Sequence, residues 1–136
     1  MSPEETRARF AAARVARLAT ADAAGHPHLV PIAFAVDGDT IYSAVDAKPK
    51  RTRALRRLAN VRANPAVSLL VDHWDEADWS RLWWARADGH GRVLDPDDPE
   101  ARRAVDLLRE RYPRQQAQGE VLAIAIERWS GWSPTP

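Results

Sequence analysis

The stretch KPKRTRALRRL, residues 48–58, holds six cations and no acid: Lys48, Lys50, Arg51, Arg53, Arg56 and Arg57. The chain has twenty Lys plus Arg, and its two lysines are both here. Cations packed around the expected start of a helix suit one chemistry, the binding of an anionic group. A helix N-terminus presents unpaired N–H groups and the positive end of its dipole. Lys50 and Arg51 at that end oppose the dipole by roughly 0.3–1 kcal/mol per charge. An anion removes the conflict. Amides, dipole, cations and the Thr52 hydroxyl then address a single negative group, as in a phosphate site. Arg56 and Arg57 lie on the outer side of the same helix and read most simply as solvated surface.

The remaining composition closes off other chemistries. The chain lacks cysteine, which excludes disulfides, thiolate nucleophiles and zinc–thiolate sites. His26, His28, His73 and His90 stand in or beside turns at no ligand-like spacing, so no metal site is expected. No nucleophile–base triad or pair of carboxylates is evident, and no catalytic residue is assigned. A formal net charge of +1 gives no overall field toward nucleic acid, and no wider basic face accompanies the cluster. No window approaches the roughly 20 apolar residues of a membrane span, and the N-terminus lacks a signal-type apolar core. The expectation is a cytoplasmic protein of one domain, residues 1–136, with neither a nucleic-acid nor a membrane partner.

The elements around the cationic run follow from local pattern. Ser2, Pro3 and Glu5 form a capping-box start for a helix over about residues 3–15, followed by a strand over 16–21. HLVPIAFAV (28–36) and TIYSAV (40–45) flank Asp37-Gly38-Asp39, a two-residue turn signal, and predict a β-hairpin over 28–45. Pro31 within the first arm requires an edge, a bulge or a neighbour that needs no donor. Ala54, Leu55, Leu58 and Val61 make one helical stripe, ended by Asn64-Pro65. AVSLLVDHW reads as a strand, and SRLWWARADGHGRVLD as a strand pair or one long bent strand with Gly89 and Gly91 at the bends. Asp97 or Asp98, Pro99 and Pro113 bracket the clearest helix, with Ala101, Ala104, Val105 and Leu108 inward. GEVLAIAIERWSGW is a buried final strand. The sum is mainly β with helices: a six-stranded antiparallel barrel with appended helices.

The ordered set RLATADAAGHPHLVPIAFAVDGDTIYSAV, the cationic element, a short helix ending in Asn-Pro and the strand SLLV resembles the flavin-binding split-barrel proteins of the pyridoxamine-phosphate-oxidase-like superfamily. The likeness covers residues 16–73, and 83–93 more loosely. It is greatest to the small actinobacterial branch that uses the deazaflavin coenzyme F420. The resemblance implies a split β-barrel homodimer with the cofactor's phosphate against Lys48, Lys50, Arg51, Thr52 and Arg53. It also implies a cofactor ring along Val30, Pro31, Ile32, Tyr42 and Ser43, largely through backbone groups. The implied activity is hydride transfer between F420 and a small organic substrate, which asks little of side chains beyond positioning and exclusion of water. The alternatives are an FMN-binding oxidoreductase of the same fold, a non-catalytic carrier of the cofactor, or a small nucleic-acid-binding barrel.

Six tryptophans, Trp74, Trp79, Trp83, Trp84, Trp129 and Trp132, remain. Core and interface packing is their plain reading, and a flat wall around ring or substrate the functional one. Trp83 and Trp84 are neighbours in an expected strand and must face opposite sides.

Overall fold

The computed structural model describes residues 1–46, 51–114 and 117–135, with the backbone alone at 45, 46, 51–55 and 118. In chain order the elements are α1 (Pro3–Ala12), β1 (Ala16–Ala21), β2 (Pro27–Ile32), β3 (Ala35–Asp37), β4 (Thr40–Asp46), α2 (Arg51–Ala63), β5 (Ala66–His73), a single 3-10 turn (Trp79–Arg81), β6 (Trp83–Leu94), α3 (Pro99–Arg111) and β7 (Ala117–Trp132). The strands form one antiparallel sheet in the order β2-β1-β5-β6-β7-β4-β3.

The sheet has seven strands rather than six, because the nine-residue run 28–36 is two strands. Its first half pairs with β1, Leu18 opposite Val30, and its second half pairs with β4, Val36 opposite Ile41. The expected hairpin over 28–45 is therefore confined to β3 and β4, turning at Gly38 and Asp39 with Gly38 at φ +59°. β2 closes one end of the strand order and pairs on one side, so Pro31 deprives no second neighbour of a donor.

The break at Ala33 and Phe34 shapes the molecule. β2 and β3 are the two ends of the sheet, yet only these two residues separate them. Laid flat, seven strands would place the end strands about 29 Å apart at about 4.8 Å per step. Three Cα–Cα steps span at most about 11 Å. The sheet must curl until its ends meet, which makes a barrel. Ser43 fastens the junction, its hydroxyl donating to the Ala33 carbonyl at 3.0 Å. The Tyr112 hydroxyl is 3.1 Å from the Phe34 carbonyl, and Phe34 is fully buried.

Inside the barrel lie Leu18, Ile32, Phe34, Ile41, Leu69, Val71, Leu122 and Ile124. The first two helices cover opposite ends. α1 meets β7 at Gly131, where Met1 and Thr6 approach, and α2 meets β6 at Gly91, where Val61 approaches. Gly131 pairs with Ala85, six residues and about 20 Å along β6 from Gly91. α1 begins as its sequence predicts, with the Ser2 hydroxyl accepting from the Glu5 amide. It ends at Ala12, short of the expected 15. Arg111 donates to the carbonyls of Ala11 and Ala13, and a guanidinium across a helix C-terminus satisfies carbonyls that another turn would have used.

α3 starts at the Asp98 cap and covers the outer face of half the sheet. Ala101, Ala104 and Leu108 pack on Ala35, Tyr42, Ala44, Val121 and Ala123. Alternation puts β7 residues 121 and 123 under the helix and 122 and 124 in the barrel, which is why that strand is apolar on both parities. One polar cluster crosses the seam: Glu100 accepts from Tyr42 at 2.8 Å and from Arg92 at 2.6 Å. Burial, then the bond to Glu100, pushes the Tyr42 phenol up to about 12. The Arg92 hydrogen bond, with help from Tyr42, holds the Glu100 carboxyl below its ordinary 4.5. β6 is one strand; its register against β7 shifts between Asp88 and Gly89, within the span that signalled a bend, and the extra residue of the shift is Glu127 on β7.

Two expectations follow. A Cβ at position 89 would sit 2.0 Å from the Ala125 carbonyl oxygen, so Gly89→Ala has to break the β6–β7 ladder. It should cost about 2–3 kcal/mol in urea denaturation, and an unchanged midpoint would mean that the bulge is elsewhere. The Glu100 carboxyl is depressed in the folded state, so its contribution is present above pH 4.5 and lost as pH falls through the folded value. Arg92 is half-exposed and screened, so that contribution is roughly 0.5 kcal/mol. Glu100→Gln should remove it, so the gap in stability between wild type and variant at pH 6 should narrow as pH falls below 4.5.

Candidate functional site

The corner where β4 hands over to α2 is where the cationic run falls. Lys48 and Lys50 lie outside the described residues. Arg51, Thr52 and Arg53 form the first turn of α2. Nothing acidic stands on this helix; its thirteen residues carry five arginines and no Asp or Glu. The helix exists despite that self-repulsion because its other side is buried. Leu58 and Val61 belong to the barrel core, as their spacing predicts, and the Asn60 side-chain amide donates to the buried Thr20 hydroxyl at 3.1 Å. Arg62 discharges onto Glu120 of β7.

The ring positions named from the sequence separate by face. Val30 and Ile32 point to the barrel core, Val30 half-buried and Ile32 fully so. Pro31 is exposed on the outer face opposite Arg17. Ser43 is buried on the core side with its hydroxyl engaged by Ala33, while Tyr42 faces outward beneath α3 and is engaged by Glu100. Val30, Ile32 and Ser43 thus share a side that Pro31 and Tyr42 do not, and Tyr42 is paired in the ladder between Ala35 and Ala123.

Two side chains that the sequence reading did not place in the site belong to this corner. Arg56 is exposed, but Arg57 is half-buried, and its Nε is a buried donor with no acceptor among the described residues. His28, half-buried on β2, likewise has a buried Nδ1 with no partner among the described residues. Burial lowers the His28 pKa, and the charges of Arg56 and Arg57 lower it further. Burial also lowers that of Arg57. A buried polar group left unpaired costs about 1–3 kcal/mol. The sequence did hold a signal. Adjacent arginines on a helix point about 100° apart, so one turns toward the protein when the other faces water. His28, moreover, keeps the period-two phase of Val30 and Ile32.

A concavity lies on the outer sheet face that α3 leaves bare. A groove of about 410 Å³ is lined by Leu70, Trp74, Trp83, Trp84, Arg86 and Trp132. Trp84 is paired across the strands with Trp132, and its ring carries the Arg86 guanidinium at 5.6 Å. Trp83 packs partly on the core and partly on His73, whose ring is stacked at 6.2 Å. Trp74 and Trp79 meet edge to face at 5.1 Å and are both exposed. Trp129 instead closes the barrel, stacked edgewise on Phe10 and donating to Asp39. Among the described residues no three His, Asp or Glu side chains gather as a metal site.

A family model described as pyridoxamine 5'-phosphate oxidase matches residues 2–133. No curated protein matches the chain. Among solved structures, a FAD-binding protein from Mesorhizobium loti is 28% identical, with 96% of this chain and 92% of that one covered at a TM-score of 0.70. A conserved hypothetical protein from Mycobacterium tuberculosis is 24% identical, with coverage of 98% and 85% and a TM-score of 0.74. The heme storage protein HutZ of Vibrio cholerae shares the fold at 18% identity, 98% and 95% coverage and a TM-score of 0.72.

Proposed function

Because the chain belongs to the pyridoxamine 5'-phosphate oxidase family, we propose that it is a cytoplasmic oxidoreductase that binds coenzyme F420. It transfers a hydride between the deazaflavin and a small, flat organic substrate. The observation that carries this reading is the acid-free helix α2, entered through the run from Lys48 to Arg53 and anchored to the barrel by Asn60. Lys48, Lys50, Arg51, Thr52 and Arg53 hold the phosphate. Backbone groups at Val30, Pro31, Ile32, Tyr42 and Ser43 run along the ring. The deazaflavin supplies the hydride chemistry itself. The protein's work is to fix the ring's position and keep water from it, which suits a corner rich in donors and apolar surface rather than in acids and bases.

The bare outer face favours a homodimer. Leu70, Trp84 and Trp132 gather on the adjoining strands β5, β6 and β7, with Leu29 exposed farther along the sheet on β2; large apolar side chains clustered at the surface in this way mark a contact surface. A second copy there would bring its own tryptophans to the rim of the groove.

FMN on the same fold is the second reading, favoured by the FAD-binding neighbour from Mesorhizobium loti. A carrier without catalysis is the third, since the heme storage protein has the same fold. Titrating F420 and FMN against the purified protein by fluorescence separates the first two. Reoxidation of bound, reduced F420 by a panel of quinones and nitroaromatics separates catalysis from carriage. Lys50→Ala and Arg51→Ala should each weaken F420 binding by roughly 1.5–3 kcal/mol, the scale of a hydrogen bond to a charged group, with little change in stability. Undiminished affinity in the double variant would remove the phosphate assignment. Leu70→Asp should turn dimers into monomers in sedimentation, and a wild type monomeric at high concentration would refute the dimer.

A further inference from the structure

The register of β1 and β2 and the pitch of α2 meet at one spot. Thr20 is the direct cross-strand partner of His28. Asn60 bonds the Thr20 hydroxyl, which pins α2 at that point of the strand pair. Arg57 precedes Asn60 by three residues and so shares its helix face, one turn back. Cross-strand partners have Cβ atoms about 5 Å apart. The Asn60–Thr20 bond therefore carries Arg57 to the side of His28, and the charge of Arg57 is felt at the imidazole. Each has one buried nitrogen, Nε and Nδ1, without a hydrogen-bond partner among the described residues. No carboxylate pairs with Arg56 or Arg57 among the described residues, and α2 offers none.

We propose that His28 and Arg57 form an oxyanion subsite, taking a phosphate or carboxylate oxygen between the imidazole Nδ1 and the guanidinium Nε. This deepens the cofactor reading given above and rests on it only for the identity of the ligand. A neutral imidazole with its proton on Nδ1 donates one hydrogen bond, and the guanidinium Nε donates another. Both partners are half-buried, where a charge-assisted bond is stronger than at an open surface. Arg57 lies six residues from Arg51, about 9 Å along the helix axis. An anion here is therefore a second anionic group, distinct from one held at the first turn of α2. A ligand that fills both positions carries two separated anions. That is a property of a phosphorylated cofactor with an acidic tail and not of a ring with one terminal phosphate.

The test is a titration of the full chain, at constant ionic strength made up with chloride, following the ¹⁵N resonances of the His28 ring. Inorganic phosphate and γ-glutamylglutamate are the two probes. A shift with phosphate supports the subsite and names a phosphoryl occupant; a shift with the dipeptide alone supports it and names a carboxylate. Arg57→Gln should weaken the effective probe about tenfold or more. Arg57→Lys, which keeps the charge and loses Nε, should weaken it too, with backbone resonances elsewhere unmoved. No shift at His28 with either probe at millimolar concentration overturns the inference. F420 binding is read separately by fluorescence. A protein that ignores F420 yet moves His28 with phosphate keeps the subsite and loses the cofactor, and the opposite pattern does the reverse.

Discussion

Two residues, Ala33 and Phe34, join the first and last strands of a seven-stranded sheet. Everything else is arranged around the closure that this short link forces. It leaves a narrow interior that apolar side chains can fill. It turns the rest of the sheet outward, where α3 covers one half and no helix covers the other. The link cannot be loose, because its backbone groups are carried away from the ladder. Ser43 and Tyr112 take those groups up, and the Phe34 ring enters the core against Phe10 at 5.2 Å.

Closure also sets the electrostatic problem at the corner. α2 covers one end of the barrel with Leu58 and Val61, and its thirteen residues carry five arginines and no acid. A helix that repels itself in this way is held by burial of Leu58 and Val61 and by one buried amide–hydroxyl bond, not by its own charge pattern. At the opposite seam the same fold satisfies its polar groups inside the chain: Tyr42, Glu100 and Arg92 complete one another. The contrast is informative. Where the protein pairs its charges internally, a structural role accounts for them. Where donors stay buried without an acceptor among the described residues, a ligand is the simplest complement.

Much of the fold was legible in local sequence. The Ser2 and Asp98 caps, the turn at Gly38, the register shift at Gly89 and the two-sided apolar strand β7 each follow from rules that operate within a few residues. The boundary between β2 and β3 was not legible, because a strand split across the two ends of a sheet has the same alternation as an unbroken one. The site was legible in part. The run from Lys48 to Arg53 announces an anion by composition alone. The distinct fates of Arg56 and Arg57, and the presence of His28 beside them, depend on a register between strands and a helix more than twenty residues away.

The sequence by itself determined the local grammar: where helices start, which turns are tight, which helix carries cations without acids, and that no thiol chemistry is available. These are short-range facts, fixed by propensity, capping and charge. Tertiary structure alone decided which strand neighbours which, which side of each strand faces the core, and which cation meets a histidine instead of water. Those outcomes depend on contacts between residues far apart in the chain, and a pattern of period two or 3.6 is silent about its partner.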